Sequence, residues 1–325
     1  MLRLAFLLVA ALPLAAPSPG ARFLAMAAYD DAHHRVLLYG GAAAGDTILG
    51  DLWALEGRTW TRLSDAGPAR IKAAFAYDAG RDRAVLFGGS RGDAQYDETW
   101  EWDGRRWAQI RIPGPSARNH PMAAYDPIAK VTLLFGGAAD GLLSDTWAYD
   151  GRSWTLKDTE GPTKCLPHGM FFDQRRGRVV MITLTQEATR SANAMWEWAG
   201  TAWRPVPPTG PSTSQASIQA LAPFGQAGIV LFDGDDARES RGRTWTFAGG
   251  EWTSAWLPGP TPRIGHAMVY DKAGRRTVLI GGSNRRAFFD DAWGLGRLRL
   301  AGDPALDGPA PPSWSACSWS RLRLR

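Results

Sequence analysis

The sequence predicts an all-β protein, a six-bladed β-propeller with four antiparallel strands in each blade. Three observations predict it. A glycine doublet returns at a near-constant interval, as Gly40-Gly41, Gly88-Gly89, Gly136-Gly137 and Gly281-Gly282. A pair of Trp spaced by seven follows each doublet slot in the first five units. The composition, with 16 Trp, 37 Gly and 22 Pro in 325 residues, suits many short strands joined by tight turns.

In units four and five the doublet slots hold Thr183-Leu184 and Asp233-Gly234, so the period is 47 to 50 residues. That is the interval of a four-stranded propeller blade. Strand a ends at an aromatic-Asp pair about ten residues before the doublet: Tyr29-Asp30, Tyr77-Asp78, Tyr125-Asp126, Phe172-Asp173 and Tyr270-Asp271. Unit five carries Ala222-Pro223 there. Strand b is the apolar run that ends at the doublet, for example Val36 to Tyr39. A short run without polar alternation is a strand covered on both faces, as between neighbouring blades. Strands c and d each carry one Trp: Trp53/Trp60, Trp100/Trp107, Trp147/Trp154, Trp196/Trp203, Trp245/Trp252, with Trp293/Leu300 in unit six. Between them lie Glu56-Gly57, Asp103-Gly104, Asp150-Gly151, Ala199-Gly200 and Ala248-Gly249. Xaa-Gly is the preferred two-residue hairpin loop, because primed turns need positive φ. Counted from that loop, the two Trp of each pair stand directly opposite each other.

These motifs resemble the kelch-repeat family, whose relatives include galactose oxidase. The resemblance spans residues 22–300 and is specific in units one, two, three and six. It implies a propeller with strand a innermost, the b–c and d–a loops on one face, and binding by those loops. Galactose oxidase's copper site, with its Tyr–Cys crosslink, finds no matching residues, so no activity is carried over. The expected blades are 22–66, 70–113, 118–160, 164–208, 213–258 and 263–300. Residues 301–325, Pro-rich with Trp314 and Trp319, are expected to be disordered or to supply an edge strand.

One correlation inside the repeat concerns charge. Units one, two, three and six carry an Arg seven residues before the Tyr and an acid two residues before the first Trp. These are Arg22 and Asp51, Arg70 and Glu98, Arg118 and Asp145, Arg263 and Asp291. Units four and five have neither, holding Cys165 with Ala194 and Gln215 with Arg243. Joint presence and joint loss fit a buried ion pair of structural role, since a lone buried charge is costly. The rival reading is general degeneration of those two units, and the ion pair is the favoured one of the two.

Ligand-binding candidates lie on the b–c rim: Arg91 and Asp93, Glu187 and Arg190, Asp235 and Asp236, Arg285 and Arg286. His168 and His266 share a register, four before the aromatic, and join them as candidates, although the kelch pattern reads Gly265-His266 as structural. The acidic loop Asp233, Asp235, Asp236, Glu239 lacks the full spacing of a calcium site. No zinc spacing, phosphate-cradling loop or Ser-His-Asp signature occurs, so no cofactor or metal is implied and no catalytic residue is nominated. Cys165 and Cys317 leave a disulfide open.

The N-terminus reads as an export signal: Arg3, the apolar Leu4 to Leu14, then Ala15-Ala16 as a cleavage site, giving a signal peptide over 1–16. That apolar run is shorter than the ~20 residues a membrane span needs. The net charge of +5 is scattered and Arg-dominated, unlike the dense basic stripe of a nucleic-acid footprint. The sequence therefore predicts an exported, monomeric scaffold that binds a protein or a glycan and no nucleic acid. The alternative is a carbohydrate-active enzyme, a mutarotase, epimerase or oxidase-like protein, with its site in the central channel.

Overall fold

The structure is a computed structural model that describes residues 17–163, 165–187, 190–207, 220–225, 228–233, 242–248, 250–284, 286–297 and 317–323. Apolar runs bounded by Asp-capped turns form its strands. Blade one is β1 (Met26–Asp30), β2 (Arg35–Ala43), β3 (Thr47–Glu56) and β4 (Thr59–Ser64). Blade two is β5 (Ala74–Asp78), β6 (Arg83–Phe87), β9 (Thr99–Trp102) and β10 (Trp107–Ile110), with a small hairpin, β7 (Ser90–Arg91) and β8 (Ala94–Gln95), in its b–c loop. Blade three is β11 (Met122–Asp126), β12 (Val131–Ala138), β13 (Leu142–Tyr149) and β14 (Trp154–Asp158). Blade four is β15 (Cys165–Asp173), β16 (Arg178–Glu187), β17 (Arg190–Trp198) and β18 (Trp203–Val206). Blade five is β19 (Ala220–Pro223), β20 (Ile229–Asp233), β21 (Arg243–Ala248) and β22 (Glu251–Ala255). Blade six is β23 (Ala267–Asp271), β24 (Arg276–Ile280), β25 (Ala292–Arg297) and β26 (Cys317–Arg321). Each blade is one antiparallel four-stranded sheet, and among the described residues there are six of these beside the two-stranded β7–β8 hairpin. Neighbouring first strands contact one another all the way round, β1 to β5, β11, β15, β19, β23 and back to β1. Strand a is therefore innermost and the ring is closed.

The a–b turns follow from the aromatic-Asp pair. Asp78 accepts backbone N–H bonds from Gly80 and Arg81, Asp126 from Ile128 and Ala129, and Asp173 from Arg175 and Arg176. An Asp that satisfies the turn's own donors ends the strand where it stands. The aromatic hydroxyl reaches the turn of the preceding blade: Ala273 N–H donates to Tyr29 Oη at 3.0 Å, across the seam between blades six and one.

The outer hairpins correct the expected register. Trp102, not Trp100, stands opposite Trp107. The residues facing the second Trp are Leu55, Tyr149, Trp198 and Phe247 in blades one, three, four and five. The cause is the loop. Its central residues are Gly104-Arg105 and Gly151-Arg152, not Asp103-Gly104 and Asp150-Gly151, because Asp103 and Asp150 turn inward to accept the backbone N–H groups two and three residues on. Moving the loop by one residue moves the facing pair by two. Trp100 and Trp107 remain diagonal neighbours on one face of adjacent antiparallel strands.

The second Trp also binds the preceding blade. Trp154 Nε1–H donates to Thr99 of blade two at 2.8 Å, Trp203 to Thr146 of blade three at 2.9 Å, and Trp319 to Thr244 of blade five at 2.9 Å. The same rings lie edge-on to Phe87, Phe135 and Phe232 at the ends of the preceding blades' b strands. Where the preceding blade offers Leu52 or Met195 in place of Thr, the indole N–H of Trp107 or Trp252 has no partner.

The glycine doublet serves the same seams. Gly41 N–H donates to Arg70 O of the next blade at 3.1 Å, Gly89 to Arg118 O at 2.9 Å, and Gly282 to Arg22 O at 2.8 Å. A Cβ on Gly40 would sit 2.8 Å from Arg70 O, and both residues of the first doublet have positive φ (60° and 93°). The doublet also inserts a bulge in the b–c pairing of blades one and three. Blade four lacks the doublet, and there β16 and β17 pair without a break from Val180/Glu197 to Glu187/Arg190.

The tail decides the last blade. Cys317–Arg321 pairs with β25 as the outer strand, and Trp319 faces Leu295. Trp319 thus fills the role expected of Leu300, which lies outside the described residues together with 301–316. The sixth blade extends past the expected boundary at 300, and of the two expectations for the tail the edge strand holds for this segment. Closure is by main chain as well: Leu24 N–H donates to Gly265 O at 2.7 Å.

Candidate functional site

The innermost strands surround a channel that widens to a cavity of about 1400 Å³ at the a–b end. Its walls are small or apolar: Ala27, Ala76, Ala123, Met170, Leu221 and Val269 among others. Its lip is formed by the a–b turns, with Asp31, Ala79, Pro127, Gln174, Phe224 and Lys272 at the first turn position. All of these but Lys272 are neutral or acidic. The turns of blades four and six bring Arg175, Arg176, Lys272 and Arg275. Arg176 pairs with Asp173 at 2.6 Å and Lys272 with Asp31 at 2.5 Å. Arg276, also at the lip, is held by Asp271 and donates to Gly57 O of blade one.

The opposite end of the channel is held by the backbone. Leu24, Lys72, His120 and Gly265 occupy one repeat position and all have positive φ (55°, 57°, 55° and 61°). His120 N–H donates to Lys72 O at 2.8 Å, so these left-handed residues tie neighbouring blades around the axis. Burial, with Lys72 and His168 nearby, lowers the His120 pKa to about 4.

The b–c rim is scattered by comparison. Arg91 and Asp93 are exposed on the β7–β8 hairpin, and Arg286 is exposed in the turn before β25, where its N–H is capped by Asn284. Glu187 and Arg190 pair across the end of the β16–β17 hairpin. Asp235, Asp236, Glu239 and Arg285 lie outside the described residues. His168 and His266 do not reach either rim. Each is buried, and His266 lies edge-on to Phe232 of blade five at 5.7 Å. Burial lowers the His168 pKa to about 4. Burial first, then the Arg263 charge, lowers that of His266 to about 3 against a small opposing contribution from the Arg263 backbone.

The four Arg–acid pairs sit beneath the b–c loops. Arg22 bonds both Asp51 oxygens at 2.9 Å and Gly40 O at 3.0 Å. Arg118 bonds both oxygens of Asp145 at 2.6 and 2.9 Å and Gly136 O at 3.1 Å. Arg263 repeats this with Asp291 and Gly281 O, and Arg70 meets Glu98 at 2.5 Å. The first Trp of each blade completes the cage: Trp53, Trp100, Trp147 and Trp293 donate Nε1–H to the same acids. That indole partner is a structural role the sequence reading missed; its signal is the acid two residues before the Trp. Burial alone would raise the Asp51, Asp145 and Asp291 pKa values, and the Arg bonds and charges outweigh it and hold them low. In blade four, Trp196 donates instead to Thr183, which stands in the doublet slot.

One cluster has metal-ligand character. Asp30, His33 and Asp82 bring ligand atoms within 4.8 Å of one another. Asp30 is already committed to Arg35 Nε at 2.8 Å and His33 Nδ1 at 3.0 Å, and the Tyr77 hydroxyl bonds Asp82. A guanidinium at that distance opposes a cation, so the cluster reads as an inter-blade latch. Cys165 and Cys317 are buried in different blades and are not joined by a disulfide. Among the described residues no helix is long and apolar enough to cross a membrane.

Compared with known proteins, the chain matches no family model, and no curated protein matches it in sequence.

Proposed function

We propose that the protein is an exported, kelch-type scaffold that binds a protein or carbohydrate ligand at the a–b mouth of its central channel. The observation that carries this reading is the 1400 Å³ cavity, shared by all six blades and rimmed on one side by cations. Binding cavities are concave, largely apolar and furnished with few polar groups. The carboxylates on its lip, Asp31 and Asp173, are each engaged by a cation, which supports recognition over acid–base chemistry. The kelch assignment draws on the doublet, the aromatic-Asp pair and the Trp spacing; export draws on the pattern of residues 1–16. The b–c rim expected from the repeat carries exposed Arg91, Asp93 and Arg286, but the cavity lies at the other end.

The purified protein is to be screened on glycan and peptide arrays beside an a–b rim variant, Arg175→Gln. Retained ligand that the variant weakens is the expected result. Turnover of a sugar's anomers or epimers by NMR, without retained ligand, would overturn the scaffold reading in favour of the enzyme. N-terminal sequencing of the exported protein is expected to start after Ala16; retention of Leu4 to Leu14 refutes the signal peptide.

A further inference from the structure

The class of ligand is set by the chemistry of the a–b mouth, and assigning one rests on that mouth being the binding site, as proposed. Its charge is one-sided. Five cations and two carboxylates line the cavity, and the cations come from the turns of blades four and six together with β24. Arg175, Lys272 and Arg275 are exposed there. The turns of blades one to three present Asp31, Ala79 and Pro127 at the lip. A guanidinium binds a carboxylate through paired, charge-assisted hydrogen bonds, so an arc of this kind selects an anion.

The walls restrict the rest of the ligand. Each inner strand is the edge of its sheet, and among the described residues no strand pairs with the side turned to the channel. That side carries alternating backbone donors and acceptors. A hydroxyl is both donor and acceptor, so a polyhydroxylated ligand meets such a mixed surface in any register. A peptide would have to align along one of the six inner strands, and its side chains would find Ala27, Ala76 and Ala123 where an anchor residue needs a deep pocket. At about 1400 Å³ the space exceeds that of a single small-molecule site, which ends near 1000 Å³.

We infer that the a–b mouth binds a carboxylate-bearing oligosaccharide, its carboxylates held by the arc of Arg175, Arg176, Lys272 and Arg275 and its hydroxyls by the channel-facing edges of the inner strands. To reach this state the cations of the arc exchange their present partners for the ligand, Lys272 giving up Asp31 and Arg176 giving up Asp173. The Lys272–Asp31 pair is exposed, so that exchange is inexpensive; Asp173 is largely buried, and it keeps the backbone N–H bonds of Arg175 and Arg176 when the Arg176 guanidinium leaves.

The test is titration calorimetry on the full protein with four probes: a short oligouronate, its carboxyl-reduced counterpart, an oligoglutamate of matched charge, and a neutral oligosaccharide. The variants are Arg175→Gln/Arg275→Gln and, on the far rim, Arg91→Gln, each checked for an unchanged fold by circular dichroism. The expected result is binding of the oligouronate, at least about tenfold weaker for the reduced form and for the double variant, unchanged for R91Q, and weakened by salt. Equal binding of the reduced form, or equal or tighter binding of the oligoglutamate, overturns the acidic-saccharide assignment and leaves the scaffold reading standing. Loss of affinity in R91Q alone moves the site to the other rim and also overturns it. Silence of all four probes sinks the assignment, and a ligand from the arrays that R175Q does not weaken sinks the mouth as the site.

Discussion

At the scale of single residues, the seams between blades are held by small polar devices placed in apolar surroundings. The Arg118–Asp145 pair is the clearest, because Arg118 is fully buried and Asp145 largely so. Arg118→Gln should lose on the order of 3–5 kcal/mol in urea unfolding, because Asp145 is left charged and half-caged. The charge-swapped pair Arg118→Glu with Asp145→Lys should recover part of that loss; additive damage would refute the coupling. The indoles make a paired contrast. Trp154→Phe removes the bond to Thr99 and should cost about 1 kcal/mol beyond the lost contact area, whereas Trp107→Phe, whose N–H is unpartnered, should cost less. Acid sensitivity has two origins. His168 and His266 are neutral when folded, with pKa values near 4 and 3 against 6.5, so their stability is full above pH 6.5 and drains as pH falls towards those values. Asp51, Asp145 and Asp291 are lowered from 3.8, so their contribution persists to about that pH and is lost only below it. Unfolding free energy measured against pH should therefore decline in two stages, and His168→Leu should flatten the first.

At the scale of elements, the outer strand of blade six is the weak joint. Cys317–Arg321 is separated from β25 by a connection of some twenty residues, so its pairing carries a larger loop-closure cost than any two-residue c–d hairpin. Yet it brings Trp319 to Thr244 of blade five and Leu322 into the core shared with blade one. Ending the chain before Cys317 should leave β25 as an exposed edge and uncover Phe232 and Leu295. Increased dye binding and loss of hydrogen-exchange protection across blades five, six and one are the expected readouts; protection unchanged in blade one would contradict the shared core. Counting from an Xaa-Gly loop misplaces the c–d pairing by two residues, because Asp103 and Asp150 act as turn caps, a side-chain choice that the loop rule does not contain.

At the scale of the whole molecule, a ligand in the channel touches every blade, so binding should stabilise the ring as a unit. A ligand present at a hundred times its Kd should raise the unfolding free energy by about 2.7 kcal/mol, seen as a single transition moved upward in calorimetry. A shift confined to an early sub-transition would place the ligand on one blade instead.

What the sequence determined by itself is the repeat and everything that repeats. The doublets, the aromatic-Asp pairs and the Trp spacing are local signals at fixed intervals, and they specify blade number, strand order and the four Arg–acid partners, because each partner recurs at a constant offset. The tertiary structure decided what depends on meeting across the ring. Trp154 finds Thr99 and Trp203 finds Thr146 only once blades are stacked, the partners standing 55 and 57 positions apart. Trp319 replaces Leu300 because pairing, not spacing, completes the last sheet. The channel mouth was invisible for the same reason: Asp31, Arg175 and Lys272 stand in separate repeats, their residue types differ from unit to unit, and only closure of the ring sets them around one cavity.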